Sequence, residues 1–332
     1  VRRDLLVEAD ERAPGEGRAY RFKHVLIRDV TYAAIPKAQR SRMHDSYGRW
    51  LEEAFGDRRD EVAEIVAHHA EQAFLLASEL GRKEAPALGE RALALLAEVA
   101  RRAFLRNDSA ARGLYERAAD LSERFAADPA THANVHAAAA VLRDDEVGDR
   151  TGLERARVLC EAVPGVEFHG RLLNSLARRA FEQDDPERAR ALWDQAVEVC
   201  ATLGDEAVGL ARVNRAVGAY LIGELDRFRE LIADALTYIR ATGASQSLFP
   251  ALVWNRVAAF FRGDLSGAAA LTAQMDASLA TLRSAQAEVL RLQGRARQHF
   301  VCGDHSEAAR LAGLSVSGWR GLGDSHGLGN AL

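Results

Sequence analysis

Asp184-Asp185-Pro186-Glu187-Arg188-Ala189-Arg190-Ala191-Leu192-Trp193-Asp194-Gln195-Ala196 joins a turn to the start of an amphipathic run. Ala189, Trp193 and Ala196 are spaced by four and three, which puts them on one helical face. Small residues there let helices approach closely, and the large one fills the gap between them. The acidic turn recurs: Asp149, Asp185, Glu224, Asp264 and Asp304 each separate two apolar-periodic stretches, at spacings of 36, 39, 40 and 40. A period of that length predicts helix pairs that cannot bury their apolar faces alone and stack into an array. Such arrays bind more often than they catalyse.

The same face returns in other second helices, as Ala111, Tyr115, Ala118 and, less cleanly, Ala156, Cys160, Val163. Phe228, Ile232, Ala235 and Ala268, Thr272, Met275 hold the equivalent places later in the chain. This pattern resembles the second helix of a tetratricopeptide repeat (TPR), with a unit nearer forty residues than the usual thirty-four or so and without that repeat's closing proline. HEAT-type repeats fit the period as well. The pairs read as 86–106 with 109–125, 130–145 with 150–163, 167–183 with 186–203, 206–222 with 225–242, 247–262 with 265–282, and 284–302 with 305–322. Leu203-Gly204-Asp205, Thr242-Gly243-Ala244 and Leu322-Gly323-Asp324 end second helices with the glycine that a left-handed cap favours. The expected fold class is all-α: a TPR-like helical-repeat superhelix of antiparallel helix pairs.

Composition agrees. The 332 residues are 48% hydrophobic, 28% charged and 7% aromatic, with seven prolines, which leaves room for long helices. A net charge of −4 gives no basic bias for direct nucleic-acid binding. Cys160, Cys200 and Cys302 lie far apart, without the spacing of a disulfide framework or a zinc site. No stretch suggests a membrane span or a signal peptide, so a cytoplasmic setting is expected. The chain begins at Val1 and closes with Ser325–Leu332, which reads as the opening of another helix; a piece of a longer protein is expected.

The first residues follow another pattern. Leu5 to Ala9 and Tyr20 to Phe22 read as the strands of a hairpin around the loop Asp10 to Arg18. Leu26, Ile27, Val30 and Ala34 then fall on one helical face until Pro36, and a second helix runs to Phe55. After Gly56-Asp57, Val62, Ile65, Val66, His69, Ala73, Leu76 and Leu80 form the stripe of a further helix closed by Gly81. Residues 1–56 thus read as the end of a winged-helix-like segment and 57–332 as the repeat array.

Phe22, His24, Leu26, Ile27, Arg28, Asp29 and Tyr32, followed by Arg40, His44, His68, His69, Gln72 and Ala73, resemble a signature of large bacterial signalling ATPases of the STAND type. In that family it lies at the junction between the ATPase module and helical repeats, in proteins fused to adenylate or guanylate cyclase or to LuxR-type DNA-binding domains. The resemblance covers residues 20–74. It implies an upstream nucleotide-binding domain in cis, a winged-helix lid, ATP or ADP in the parent protein, and a repeat arm that senses a ligand or partner. It also implies a role for His24, with Arg28, at an ADP phosphate, although Lys23 and Val25 replace the Met and Asp that flank the family's histidine. A histidine where a strand turns into a helix suits an anion on physical grounds too. The alternative is a helix-start residue bonded locally, with Arg28 and Asp29 paired to neighbours.

Within these residues there is no G-x-x-x-x-G-K-[ST] loop, so no site for ATP hydrolysis is expected here and no cofactor in the fragment itself. His68 and His69 are adjacent rather than four apart, so no metal site is read there. Asp144-Asp145-Glu146 and Asp184-Asp185 read as solvated turns, and no catalytic residues are assigned. Asn174, Asn214 and Asn255 recur at spacings of 40 and 41, accompanied by Arg178, Arg215 and Arg256. On the inner face of a TPR array these would form a ladder suited to peptide backbone, carboxylates or a small effector. Asparagines that only bond the adjacent turn are the competing explanation. A sensor and protein-interaction region is therefore expected, with a passive scaffold as the alternative.

Overall fold

The computed structural model describes residues 5–8, 20–106, 108–125, 127–148, 151–282 and 285–322. Two short strands, β1 (Leu6–Glu8) and β2 (Tyr20–Phe22), pair antiparallel with Leu6 opposite Phe22. Helices α1 (Val25–Ala34), α2 (Lys37–Phe55), α3 (Ala63–Glu79), α4 (Ala85–Leu105) and α5 (Ala110–Ser122) follow, with a 3-10 turn at Gly56–Val62. Next come α6 (Pro129–Val147), α7 (Leu153–Glu161), α8 (His169–Glu182), α9 (Pro186–Cys200), α10 (Asp205–Leu221) and α11 (Leu225–Thr242). The last are α12 (Ser245–Phe261), α13 (Leu265–Leu282), α14 (Ala285–Val301) and α15 (His305–Leu322). Every expected repeat helix has a counterpart, and α4/α5, α8/α9, α10/α11, α12/α13 and α14/α15 pack as pairs. The hairpin tip, the turn at Asp149 and the segment after Leu322 lie outside the described residues.

Contacts divide the chain into two compact units, Val1–Leu142 and Arg143–Leu332, with the boundary inside α6. In the first unit α2 packs along α3, α3 along α4 and α4 along α5. The expected stripe on α3 is only partly inward: Val66, Ala73 and Leu76 are buried, together with Ala67, Ala70, Phe74 and Ala77, while Ile65 and Leu80 are exposed. The face is set by α2 on one side and α4 on the other rather than by one neighbour, so the buried arc is broader and rotated. No residue of α1 is buried, and its Val25, Leu26 and Val30 are exposed.

In the second unit the pairs α8/α9, α10/α11, α12/α13 and α14/α15 are antiparallel neighbours, and α9, α11 and α13 also contact the pair that follows. First helices touch first helices in turn, α8 with α10, α10 with α12 and α12 with α14, so they form one continuous row. The triplets Ala189/Trp193/Ala196 and Phe228/Ile232/Ala235 are all at most 2% exposed. Burying side chains as large as Phe228 and Ile232 contributes about 1.5–3 kcal/mol each.

One turn repeats inside every pair of this unit. Asp184, Gly223, Gly263 and Gly303 all have left-handed φ values, 61°, 84°, 70° and 83°. The next residue, Asp185, Glu224, Asp264 or Asp304, donates its backbone N–H to a carbonyl five residues back. Asp185, Asp264 and Asp304 also accept a backbone N–H three residues on, at 3.0, 2.8 and 3.2 Å. A left-handed stop for one helix and an acidic cap for the next together fix the bend. Glu224 is too long for that cap, and its carboxylate pairs with Arg190 and Arg227 instead.

Candidate functional site

The junction residues gather where α1, α2 and α3 meet. The Tyr32 hydroxyl lies 2.7 Å from His44 Nε2, and His44 Nδ1 lies 2.7 Å from His69 Nδ1, forming one hydrogen-bonded chain across three helices. The Arg40 guanidinium sits over the Tyr32 ring at 4.8 Å. Burial pushes the His69 pKa down to about 4, helped by His44 and His68; burial, His68 and Arg40 lower that of His44. Both imidazoles are therefore neutral at pH 7. His24 caps α1, its Nδ1 accepting the Leu26 N–H at 3.1 Å, and Arg28 pairs with Asp29 at 2.8 Å. His24 and Arg28 are exposed and stand apart from the His44–His69 chain.

The asparagines and arginines fall on the first helices as expected. Asn174 on α8 accepts the Trp193 indole N–H at 3.0 Å, and Asn255 on α12 donates to the carbonyls of Ile232 and Ala251, both at 2.9 Å. These two amides are committed to holding helices together. Asn214 on α10 is partly buried. Arg178 pairs with Asp145 at 2.5 Å and Asp144 at 3.4 Å. That corrects the reading of Asp144 and Asp145 as turn residues, since both lie within α6 and the Asp144 side chain is 7% exposed. Arg215 lies 3.7 Å from Asp194, which also pairs with Arg227.

Arg256 differs from the others. It is 2% exposed, and its Nε and Nη1 have no hydrogen-bond partner. Gly294 of α14 gives it room: a Cβ there would fall 1.8 Å from Arg256 Nη1. Burial lowers its pKa to about 10, Arg297 adds to the effect and Asp276 opposes it, so the group stays charged at neutral pH. Arg297 extends the row, because Arg215, Arg256 and Arg297 recur at spacings of 41 and 41 on successive first helices. The sequence held that third spacing; it was obscured because Ala296 breaks the asparagine pattern beside it.

Two further features were not read from the sequence. A surface cleft of about 420 Å³ beside the α7–α8 turn is lined by Cys160, Val163, Pro164, Val166, His169 and Val199. Burial pushes the Cys160 thiol up to about 12 and that of Cys200 to about 11, so neither is a thiolate nucleophile. The second feature is the group Glu123, His132 and His136, whose donor atoms converge at the α5–α6 turn. Its signal was the H-x-x-x-H spacing on a helix.

No protein-family model matches the chain, and no curated protein matches it. Solved structures do. A Rap protein complexed with competence and sporulation factor superposes with a TM-score of 0.53 at 11% identity, covering 89% of this chain and 96% of that one. A STAND protein with a tetratricopeptide repeat sensor from Pyrococcus horikoshii superposes with a TM-score of 0.55 at 14% identity, covering 95% of this chain. The chain spans 45% of the length of that STAND protein. At these identities the likeness concerns the fold, and the chain is an all-α protein of TPR-like helical repeats.

Proposed function

We propose that the chain is the sensor and partner-binding region of a signalling protein, and that its first-helix row receives a protein or peptide segment through that segment's carboxylates. The carrying observation is Arg256, a buried guanidinium that keeps its charge with Nε and Nη1 unpartnered. Buried guanidinium N–H groups without acceptors are costly, and an anionic group brought by a ligand offsets that cost. Arg215 and Arg297 on either side supply further donors suited to carboxylates. Two structural neighbours support the reading by analogy: one is complexed with a factor, the other is described as carrying a repeat sensor.

The junction residues extend the proposal. Residues 1–56 are the end of a winged-helix lid, and the exposed Val25, Leu26 and Val30 of α1 face an upstream nucleotide-binding domain in cis. Ligand binding in the array then biases that lid between ADP and ATP states, which requires different ligand affinities in the two states. His24 and Arg28, at the start of α1, are the residues proposed to meet the ADP phosphate.

An array of peptides rich in Asp and Glu, read by fluorescence anisotropy, tests the partner-binding part. Binding that Arg256→Met and Arg297→Gln weaken at least tenfold is expected; binding indifferent to both overturns it. For the switch, deleting residues 86–332 from the parent protein should alter nucleotide exchange or output, and unchanged behaviour sinks the coupling.

A further inference from the structure

We propose that Glu123, His132 and His136 bind a divalent transition-metal ion of the Zn²⁺ class, clamping the end of α5 to the first turns of α6. The site lies within the first compact unit and is independent of the arginine row. One donor atom from each residue lies within 4.8 Å of the others. His132 and His136 are four apart on α6 and so share a face; their ring centroids are 4.5 Å apart. His136 Nε2 is 3.1 Å from Glu123 Oε1. Zn²⁺ bonds of about 2.0–2.1 Å place donors about 3.3 Å apart, a small contraction of this cluster that side-chain rotation supplies.

The hydrogen bonding around His132 selects its tautomer. Ser122, which is 2% exposed, donates its hydroxyl proton to the Ala119 carbonyl at 2.7 Å. With its proton on Ala119, that hydroxyl accepts from His132 Nδ1, 2.8 Å away, and we assign the ring proton to Nδ1. The lone pair then sits on Nε2, the nitrogen we assign to the metal. A hydrogen bond to the far nitrogen of a ligating imidazole is the usual means of orienting the ring and raising its basicity.

Two imidazoles and one carboxylate suit Zn²⁺ rather than Ca²⁺ or Mg²⁺, which prefer oxygen donors. The His136 side chain is 15% exposed and that of Glu123 40%, so the site is walled on one side and open on the other. A fourth position remains for water or for a donor from a partner.

The test is titration of the chelator-treated chain with Co²⁺, followed by its visible d–d absorption, and displacement by Zn²⁺. One ion per chain is expected. His132→Gln and His136→Gln should each weaken binding by at least about 100-fold, and Ser122→Ala by about tenfold. His68→Gln, which removes a histidine elsewhere, should leave it unchanged. Binding that survives both α6 histidine substitutions overturns the proposal, as does the absence of a one-to-one Co²⁺ spectrum at micromolar concentration. X-ray absorption of the Zn²⁺-loaded unaltered chain decides the matter without variants: two imidazoles and an oxygen donor are expected, and a sulfur donor or a single imidazole overturns it.

Discussion

Trp193 of α9 packs the benzo edge of its indole against Gly218 of α10, so closely that a Cβ on Gly218 would lie 2.3 Å from Trp193 Cε3. Its indole N–H reaches the other way, to Asn174 of α8. One side chain therefore sets the spacing of three consecutive helices, and the glycine is as much a part of the contact as the tryptophan.

Gly218→Ala adds a methyl group where nothing can yield except the indole or a helix. It should destabilise the second unit by about 1–3 kcal/mol, the range for overpacking a tight contact. Trp193→Ala should cost more, about 3–5 kcal/mol, because a cavity forms and Asn174 loses its donor. Urea denaturation followed by circular dichroism reads both; a neutral Gly218→Ala would mean that the contact is slack.

Asp184 takes the left-handed conformation that glycine holds in the next three pairs, with φ of 61°. A Cβ in that region strains the backbone, though aspartate tolerates it better than most residues. Asp184→Gly should therefore stabilise the chain by about 0.5–1 kcal/mol, the relief of strain outweighing the added freedom of the unfolded state. Among the described residues the exposed side chain has no hydrogen bond or ion pair to lose. A lowered urea midpoint would count against this account of the turn.

The His69 pKa is depressed to about 4 from 6.5, and that of His44 is lowered as well. Below pH 6.5 the unfolded chain takes up protons that the folded chain refuses, so stability is present above 6.5 and is lost as pH falls toward 4. Because both side chains are only partly buried, the loss at His69 is discounted for solvent screening to about 1–2 kcal/mol. His69→Asn keeps a hydrogen-bonding group beside His44 and removes the titration. Its melting temperature should fall less steeply between pH 6.5 and 4 than that of the unaltered chain; equal slopes would place the acid sensitivity elsewhere.

These tests also show where the sequence was readable. Helix pairs were legible because Ala189, Trp193, Ala196 and their counterparts carry the 3.6-residue period in every unit, and tertiary packing only reinforces it. The αL position inside each pair is only half legible: Gly223, Gly263 and Gly303 stand beside the acidic turn residues, but Asp184 takes the same conformation with a residue of another type. Glu123 with His132 and His136 depends on a turn folding α5 back toward α6, a distance no local pattern encodes. Arg256 read as one rung of a ladder, since burial against Gly294 is a property of two helices 38 residues apart in the chain.

Arg256 offers the sharpest separation of fold from function. Replacing buried ionic groups such as ion pairs with apolar side chains of similar volume is commonly neutral or stabilising by about 1–4 kcal/mol, and a charge without hydrogen-bond partners has still less to lose. Arg256→Met should therefore leave the urea midpoint unchanged or raise it, because Nε and Nη1 lose no partner. Binding of an acidic peptide should fall in the same variant. Structural importance alone predicts the opposite sign for stability, and a solvated, dispensable arginine predicts no change in either measurement. Higher stability with weaker binding is the combination expected of a charge held in place for a ligand.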